Sequence, residues 1–295
     1  MIPMDDRDGF IWFDGKMVPW RDAKTHVLTH GLHYGSSVFE GMRAYDGHIF
    51  ELTRHNERLA NSAALLGFEV PYSTAELDKA CKDVVAANGF PNAYVRPVAY
   101  RGSEQMGVSA QLSKIHVAIA SWEWPSYFSP ELRDKGIKLT FSKWRRPAPD
   151  TAPTASKAAG LYMICTLSKH AAEAEGWNDA LMLDYRGQLA EATGANLFVV
   201  KDGVINTPTP DCFLNGITRQ TVMELARKRG IKVVERAMWP DELKSADEIF
   251  ITGSAAEVTA IGQIDDLHFT VGPITKALRD DYEKLVRQPP KAVAA

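Results

Sequence analysis

The sequence predicts an α/β or α+β protein built from two mixed-sheet domains. Three observations support this fold class. Apolar runs of strand length, separated by tight-turn dipeptides, fill much of the first half; two helical patterns are inserted among them; and strands alternate with helices through the second half. With 295 residues, of which 45% are hydrophobic, the chain is long enough for one large domain or two of ordinary size.

Two β-hairpins are predicted in the first half from the dipeptide Asp-Gly. Apolar runs flank Asp14-Gly15 and again flank Asp46-Gly47. Asp-Gly favours the positive φ angles that two-residue hairpin turns require. We therefore expect a strand on each side of both dipeptides.

Two helices are predicted between the hairpins and the strands that follow. Apolar residues take on a helical period over 54–66, and Gly67 is a suitable end for that helix. Ser73 and Glu76 have the spacing of a capping box, which opens a second helix that ends at Gly89.

A proline- and aromatic-rich stretch divides the chain near its middle. Residues 122–130 contain two prolines and four aromatic residues without a clean period. Such a stretch is typical of a connection between domains. We therefore predict an N-terminal domain at 1–121, an interdomain loop at 122–133 and a C-terminal domain at 134–295.

The remaining elements are read from hydrophobic periodicity. The strand-like runs lie at 93–100, 114–121, 137–142, 180–185, 197–200, 231–235 and 248–252. Helices are predicted at about 157–175 and 218–229, with a short one after Pro240. The dipeptides that end in Gly187 and Gly203 indicate further hairpin turns.

Composition excludes several classes of protein. The net charge of −3 does not favour nucleic acid or an anionic membrane surface as a partner. The cysteines at 81, 165 and 212 form no paired metal motif, and so sparse a set is typical of a reducing compartment. The N-terminus lacks a secretory pattern, and no apolar run approaches the roughly 20 residues of a membrane span. We expect a cytoplasmic protein without metal, membrane or nucleic-acid partners.

Two residues could bind a heterocyclic aldehyde cofactor. Lys157 lies among small residues, where an amine can approach a flat ligand and form a Schiff base; the alternative is a solvated lysine at a helix start. Glu191 lies in an apolar, small-residue segment, where a buried carboxylate could keep a ring nitrogen protonated. The alternative for Glu191 is an exposed glutamate in a turn.

Two segments have the pattern of anion sites. Residues 214–219 run into a helix, and 253–256 follow a strand and are predicted to open a helical turn. Backbone N–H groups at helix starts bind phosphate, assisted by hydroxyl groups. The alternative is plain N-capping by Thr218 and Ser254.

A cation and a phenol lie two residues apart in a predicted strand. Tyr94 and Arg96 therefore share one face, which suits a carboxylate ligand; the alternative is an arginine paired across the sheet. A Schiff-base lysine, an acid for a ring nitrogen and two phosphate sites together are what pyridoxal phosphate needs.

The sequence resembles the branched-chain amino acid aminotransferases, which belong to the fold-type IV pyridoxal phosphate enzymes. The resemblance covers about residues 10–285. It is carried by His33-Tyr34-Gly35, Val38-Phe39-Glu40-Gly41, Arg54-His55-Asn56-Glu57-Arg58-Leu59, Tyr94-Val95-Arg96-Pro97, Met106-Gly107-Val108, Ser156-Lys157-Ala158, Glu191 with Asn196-Leu197-Phe198, Gly216-Ile217-Thr218-Arg219 and Gly253-Ser254-Ala255-Ala256-Glu257. It implies transamination between leucine, isoleucine or valine and 2-oxoglutarate, with pyridoxal 5′-phosphate as cofactor.

The resemblance also implies roles for residues at the cofactor. Lys157 would hold the cofactor as a Schiff base and then move the proton between Cα and C4′, and Glu191 would pair with the ring nitrogen. The phosphate and the phenolic oxygen would be bound by Arg58, Ile217, Thr218, Ser254 and Tyr162.

Further roles concern the substrate. The α-carboxylate would bind Tyr94 and the amides of Ser254 and Ala255. The apolar side-chain pocket would be formed by Phe39, Trp124, Tyr127 and Tyr162. Tyr34, Val108 and Arg96 belong to a region that dimers of the family complete across the subunit interface, so a homodimer or larger homo-oligomer is expected.

Other enzymes of the same fold remain alternatives at this stage. A D-amino acid or (R)-amine transaminase and an aminodeoxychorismate lyase share the lysine, the glutamate and the phosphate sites. The Tyr94–Pro97 segment favours the branched-chain interpretation.

Overall fold

The computed structural model describes residues 3–124 and 129–288. These residues form two compact units. The first comprises 3–124 together with 156–160, and the second comprises 129–155 together with 161–288. The predicted domain limits at 121 and 134 remain a prediction. In the described part of the chain, no helix has both the length and the hydrophobicity needed to cross a bilayer.

The first unit is built on one antiparallel sheet. Its strands are β1 (Phe10–Phe13), β2 (Lys16–Pro19), β3 (Ser37–Phe39), β4 (Met42–Tyr45), β5 (His48–Ile49), β6 (Ala93–Arg101) and β7 (Ile115–Glu123). They lie in the order β2-β1-β7-β6-β4-β5, and β3 also pairs with β6. Both predicted Asp-Gly hairpins are confirmed: Asp14 and Asp46 have φ angles of 47° and 50°.

Helices cover this sheet. They are α1 (His30–Tyr34), α2 (Leu52–Leu65) and α3 (Thr74–Asn88), with a 3-10 turn at Trp20–Asp22. The predicted capping box of α3 is present: Ser73 accepts from the amide of Glu76, whose side chain accepts from the amide of Ser73. Apolar side chains of α2 and α3, such as Leu59 and Leu77, are fully buried in the core of the unit.

The second unit contains a mixed sheet. Its strands are β8 (Ile137–Arg146), β9 (Asp179–Asp184), β10 (Leu189–Ala192), β11 (Asn196–Lys201), β12 (Val204–Pro208), β13 (Val233–Arg236), β14 (Glu248–Gly253), β15 (Glu257–Ile264) and β16 (Leu267–His268). The order is β10-β9-β8-β15-β14-β11-β12-β13, with β16 paired to β15. Strand β8 is parallel to β9 and β15, and β12 is parallel to β13, whereas the other pairs are antiparallel. The predicted α/β fold class is thereby confirmed.

Helices also flank the second sheet. They are α4 (Pro130–Lys135), α5 (Met163–Ala174), α6 (Ile217–Lys228) and α7 (Pro273–Val286), with 3-10 turns at Ala159–Tyr162 and Pro240–Ser245. The predicted helix at 218–229 is confirmed, and its N-cap is Gly216. The hairpin turns at Gly187 and Gly203 are also present, with φ angles of 89° and 74°.

Two local predictions are wrong. The helix expected from residue 157 begins later in the chain. Lys157 and Ala158 instead bond to other residues of the first unit, and Ala158 forms a β-bridge with Val38. The helical turn expected at 254–256 is instead the turn of the β14–β15 hairpin. Antiparallel pairing of Gly253 with Glu257 takes the backbone groups that a helical turn would have used.

Candidate active site

The main chain of Lys157 is held by two elements of the first unit. Its amide donates to Ser62 Oγ on α2 at 3.0 Å, and its carbonyl accepts from the amide of Phe39 at the end of β3 at 3.1 Å. The preceding Ser156 hydroxyl donates to the carbonyl of Ser62 at 2.9 Å. The lysine segment and helix α2 are therefore joined at two points, which restricts where the amine can lie.

The ammonium group of Lys157 has an unusual environment. Nζ lies 4.9 Å from the centroid of the Phe39 ring. Burial is the main cause that lowers the pKa of Lys157; the positive charge of Arg58 lowers it further, and the charge of Glu40 partly opposes this. A larger fraction of the amine is therefore neutral than in an exposed lysine, and the neutral amine is the nucleophile.

A buried acid and an arginine lie beside the lysine segment. Glu40 is fully buried and accepts from Arg58 Nε at 2.6 Å and from Arg58 Nη2 at 2.9 Å. His55 Nδ1 lies 2.6 Å from the same carboxylate. Burial alone would raise the pKa of Glu40, but the charge of Arg58 and the hydrogen bonds from both partners hold that pKa well below its usual range.

Tyr94 and Arg96 lie on one face of β6, as the sequence predicts. Arg96 Nη2 donates to the Tyr94 hydroxyl at 3.3 Å, and the guanidinium lies 4.8 Å from the centroid of the Phe39 ring. Over the described residues Arg96 forms no ion pair, and its Nε is buried without a partner, so the alternative of a cross-sheet salt bridge is wrong. A Cβ on Gly41 would lie 2.0 Å from the Tyr94 hydroxyl, so only glycine leaves room for this phenol.

Aromatic side chains extend this face of the first unit. The Tyr94 ring packs against Trp124 at 4.9 Å and against Trp122 at 5.2 Å between centroids. The sequence-based site included Trp124 but not Trp122, which is the cross-strand partner of Tyr94. Tyr127, the remaining aromatic candidate, lies outside the described residues.

Tyr34 and Val108 lie at the surface of the first unit. Tyr34 is 48% exposed and Val108 is 87% exposed. Their segments are joined by His30, whose Nε2–H donates to the carbonyl of Gly107 at 2.8 Å and whose ring stacks on Tyr34 at 4.6 Å. Tyr34 and Val108 therefore lie on two surface segments that His30 connects.

In the second unit, Glu191 lies on β10 and is buried and paired, so the alternative of an exposed turn glutamate is wrong. It accepts from Asn196 Nδ2 at 3.1 Å, and Arg146 Nε lies 3.5 Å from its other oxygen. Burial alone would lower the pKa of Arg146, but the charge of Glu191 and smaller contributions from its other neighbours together outweigh burial and raise it. Tyr162 is one of these neighbours and also raises the pKa of Arg146. The Glu191 carboxylate is therefore held by a cation and an amide donor.

The start of α6 offers backbone donors close to this carboxylate. Gly216 is its N-cap, and no side chain caps the helix, so Thr218 is not a plain N-cap. Asn196 joins the two features: besides its bond to Glu191, its Oδ1 accepts from the amide of Gly216 at 3.1 Å. The amides of Ile217 and Thr218 belong to the first helical turn, where backbone N–H groups bind anions.

Ser254 and Ala255 lie in the β14–β15 turn of the same unit. Strand β14 pairs with β11 so that Thr252 is opposite Asn196. A Cβ on Gly253 would lie 3.1 Å from the carbonyl of Gly194. The pairing therefore brings this turn to the end of β11 at which Asn196 contacts Glu191.

Besides Trp122, four residues of these clusters were not predicted as site residues: Glu40, His55, Arg146 and Asn196. Glu40 is adjacent to Phe39, and Asn196 follows Glu191 by five positions, so both lie in the segments that carry the family resemblance. Arg146 gave no signal, because its partner Glu191 is 45 positions away along the chain.

Comparison with known proteins gives a consistent result. The family model described as amino-transferase class IV matches residues 37–264. The branched-chain-amino-acid aminotransferase of Pseudomonas aeruginosa is 44% identical over 292 residues, which cover 97% of this chain and 95% of that protein.

Solved structures are similar over nearly the whole chain. The branched-chain amino acid aminotransferase of Escherichia coli has a TM-score of 0.92 at 39% identity, covering 97% of this chain and 98% of that one. The enzyme of the same name from Thermobaculum terrenum, in its PLP-bound holo form, has a TM-score of 0.86 at 31% identity, covering 95% and 94% of the two chains. This chain therefore belongs to the class IV aminotransferases and, within them, to the family of branched-chain amino acid aminotransferases.

Proposed function

We propose that this protein transfers the amino group of leucine, isoleucine or valine to 2-oxoglutarate, giving branched-chain 2-oxo acids and L-glutamate. Its cofactor is pyridoxal 5′-phosphate. The observation that carries the proposal is the position of Lys157 Nζ, 4.9 Å from the Phe39 ring, on the aromatic and cationic face that Tyr94 and Arg96 complete. Burial at this position also lowers the pKa of Lys157. The class IV family and its branched-chain relatives support the same reaction.

The side chains present fit this cofactor. An aldehyde needs a lysine with a neutral amine, and burial of Lys157 favours that form by lowering its pKa. A phosphate needs backbone donors, and α6 begins without a side-chain cap over them. Gly216 lets Asn196 reach the helix start, since a Cβ at this position would lie 2.2 Å from Asn196 Oδ1.

Each part of the cofactor has proposed ligands among these residues. Lys157 would hold the aldehyde carbon through its amine, and Glu191 would pair with the ring nitrogen. The remaining ligands are Tyr162 at the phenolic oxygen and, at the phosphate, Arg58, Ser254 and the amides of Ile217 and Thr218. When bound, the cofactor supplies an electron-accepting ring conjugated to the substrate Cα.

The protein's own groups then do the proton chemistry. With the cofactor bound, the Lys157 amine would be the base that moves the proton between the substrate Cα and C4′; a positioned base contributes roughly 10²–10⁴-fold. Glu191 keeps the ring nitrogen protonated, because an adjacent negative charge raises the pKa of that nitrogen. Arg146 and Asn196 orient the Glu191 carboxylate.

Substrate recognition is proposed for the aromatic face and the hairpin turn. The Tyr94 hydroxyl and the amides of Ser254 and Ala255 bind the α-carboxylate. The pocket for the branched side chain is formed by Phe39, Trp124, Tyr127 and Tyr162. An apolar pocket cannot accept the second carboxylate of glutamate unless a cation reaches it, and Arg96, assisted by Tyr34, supplies that cation.

A homodimer is proposed from the surface of the first unit. Large apolar side chains are exposed on two joined segments, namely Val27, Leu28, Leu32, Tyr34, Met106, Val108 and Leu112. Exposed apolar patches of this kind mark protein interfaces. A cytoplasmic location is also proposed, because Cys81, Cys165 and Cys212 are all free.

A substrate panel tests the proposed reaction. Purified protein supplied with pyridoxal 5′-phosphate is given L-leucine, D-alanine or (R)-1-phenylethylamine, each with 2-oxoglutarate, and glutamate formation is measured. We expect turnover with L-leucine and its loss in Lys157→Ala. Preference for D-alanine or the amine would contradict the proposal and would favour the other transaminases of this fold.

A further inference from the structure

We propose that Glu40 is a positioning residue that fixes the guanidinium of Arg58 in the orientation required by the cofactor's phosphate. The inference rests on the proposed phosphate role of Arg58. It assigns a function to an acid that itself contacts neither the cofactor nor the substrate in the proposed mechanism.

The geometry of the pair is that of a fixed support. Both oxygens of Glu40 are used on Arg58, one at Nε and the other at Nη2, so the guanidinium is bound along one edge. Bidentate pairing of this kind fixes the plane as well as the position of an arginine. Glu40 is in turn fixed by the main chain, because its amide donates to the carbonyl of Pro97 at 2.9 Å.

A third residue completes the support. His55, one helical turn before Arg58 on α2, is buried and lies 2.6 Å from Glu40 Oε2. Burial lowers the pKa of His55, so the imidazole is neutral at neutral pH and its Nδ1–H donates to the carboxylate. The carboxylate thus accepts from two side chains of one helix, and neither oxygen can rotate without breaking a bond.

Electrostatics alone would argue against an acid at this place. A phosphate group is itself an anion, so a negative charge beside its arginine lowers the attraction between them. Glu40 also cancels the charge that Arg58 would contribute. The benefit of Glu40 to phosphate binding must therefore come from orienting Arg58. Charge alone predicts tighter phosphate binding when Glu40 is neutralised, whereas loss of orientation predicts weaker binding.

Two variants separate orientation from charge. Glu40→Gln removes the negative charge, and Glu40→Asp keeps it but shortens the side chain by one methylene, so that it no longer spans Arg58 and His55. The matched control is Glu51→Gln, because Glu51 precedes the same helix and pairs with Arg54 at 3.3 Å on the surface. Cofactor-free protein is titrated with pyridoxamine 5′-phosphate, which forms no bond to Lys157.

We expect both Glu40 variants to bind pyridoxamine 5′-phosphate at least about tenfold more weakly, as for loss of a hydrogen bond to a charged group, and the control to bind normally. Unchanged or tighter binding by Glu40→Gln would overturn the proposal, and so would normal binding by Glu40→Asp. If the unsubstituted protein fails to bind this ligand, the proposed function itself fails.

A second measurement distinguishes positioning from general disruption. Pyridoxal has the aldehyde but no phosphate, and its rate of reductive trapping at Lys157 is compared between unsubstituted protein and the two variants. We expect that rate to stay within about twofold, since phosphate binding plays no part in it. A parallel loss with pyridoxal would show that Glu40 only maintains the fold, and would contradict the proposed role.

Discussion

The pair formed by Arg146 and Glu191 allows a quantitative test of how the second unit is stabilised. Arg146 is only 3% exposed, and its Nε lies 3.5 Å from Glu191 Oε1. At an effective dielectric constant of about 20, two unit charges at that distance attract by about 5 kcal/mol. Arg146 also donates to the carbonyl of Cys212 and to Cys165 Sγ.

Arg146→Met removes these interactions and leaves a buried carboxylate that keeps its hydrogen bond from Asn196. We expect the free energy of unfolding of cofactor-free protein to fall by about 3–5 kcal/mol, the usual cost of breaking a buried ion pair from one side. Urea denaturation at pH 7.5 measures this loss. Arg145→Met, at the exposed neighbouring position, serves as the control and should change it by less than about 0.5 kcal/mol.

A double-mutant cycle with Glu191→Gln isolates the pair. Once the carboxylate is neutral, Arg146→Met should cost less, and we expect a coupling free energy of about 2–3 kcal/mol. Additive effects of the two substitutions, within about 0.5 kcal/mol, would refute the reasoning that Arg146 stabilises the protein through the charge of Glu191.

Three further outcomes are expected. Gly216→Ala should weaken pyridoxamine 5′-phosphate binding and destabilise the protein by about 1–3 kcal/mol, because the new Cβ would overlap Asn196. The control is Gly194→Ala, whose Cβ would meet no atom within 4 Å, and it should change neither the ligand titration nor the urea denaturation. Lys157→Met should raise the Tm of cofactor-free protein more at pH 7 than at pH 10. The pKa of Lys157 is lower in the folded than in the unfolded state, so the unfolded state binds the proton first as the pH falls. The unsubstituted protein therefore loses stability on going from pH 10 to pH 7, and the methionine variant avoids this loss. An equal rise at both pH values would contradict that shift. Arg96→Ala should raise the KM for 2-oxoglutarate far more than the KM for leucine, and equal changes in steady-state assays would reject its role.

Local signals in the sequence were sufficient for the elements that depend on neighbouring residues. The hairpin turn at Asp14 and the capping box at Ser73 were confirmed, because φ preference and capping are decided within four residues. Strand β15 and helix α7 were not predicted, although both contain clear apolar positions. Strand β15 is decided by pairing with β14 and β8, whereas α7 has a readable helical pattern in which Leu278, Tyr282 and Val286 recur every four residues.

In the candidate site, too, features decided by neighbouring residues were predicted and those decided by distant contacts were not. Burial of Glu191 and the shared face of Tyr94 and Arg96 followed from the local pattern of apolar residues and strand alternation. The helix start expected at Lys157 was wrong, because bonds to Ser62 and Phe39 hold this residue outside the helix. Such contacts join positions about 100 residues apart, and no periodicity in the sequence records them.

Covalent trapping tests the central claim most directly. Protein incubated with pyridoxal 5′-phosphate is reduced with borohydride, digested and examined by mass spectrometry. We expect one dominant phosphopyridoxyl adduct, on Lys157, and its disappearance after prior incubation with L-leucine, which converts the cofactor to the amine. An adduct spread over surface lysines, or none on Lys157, would contradict it.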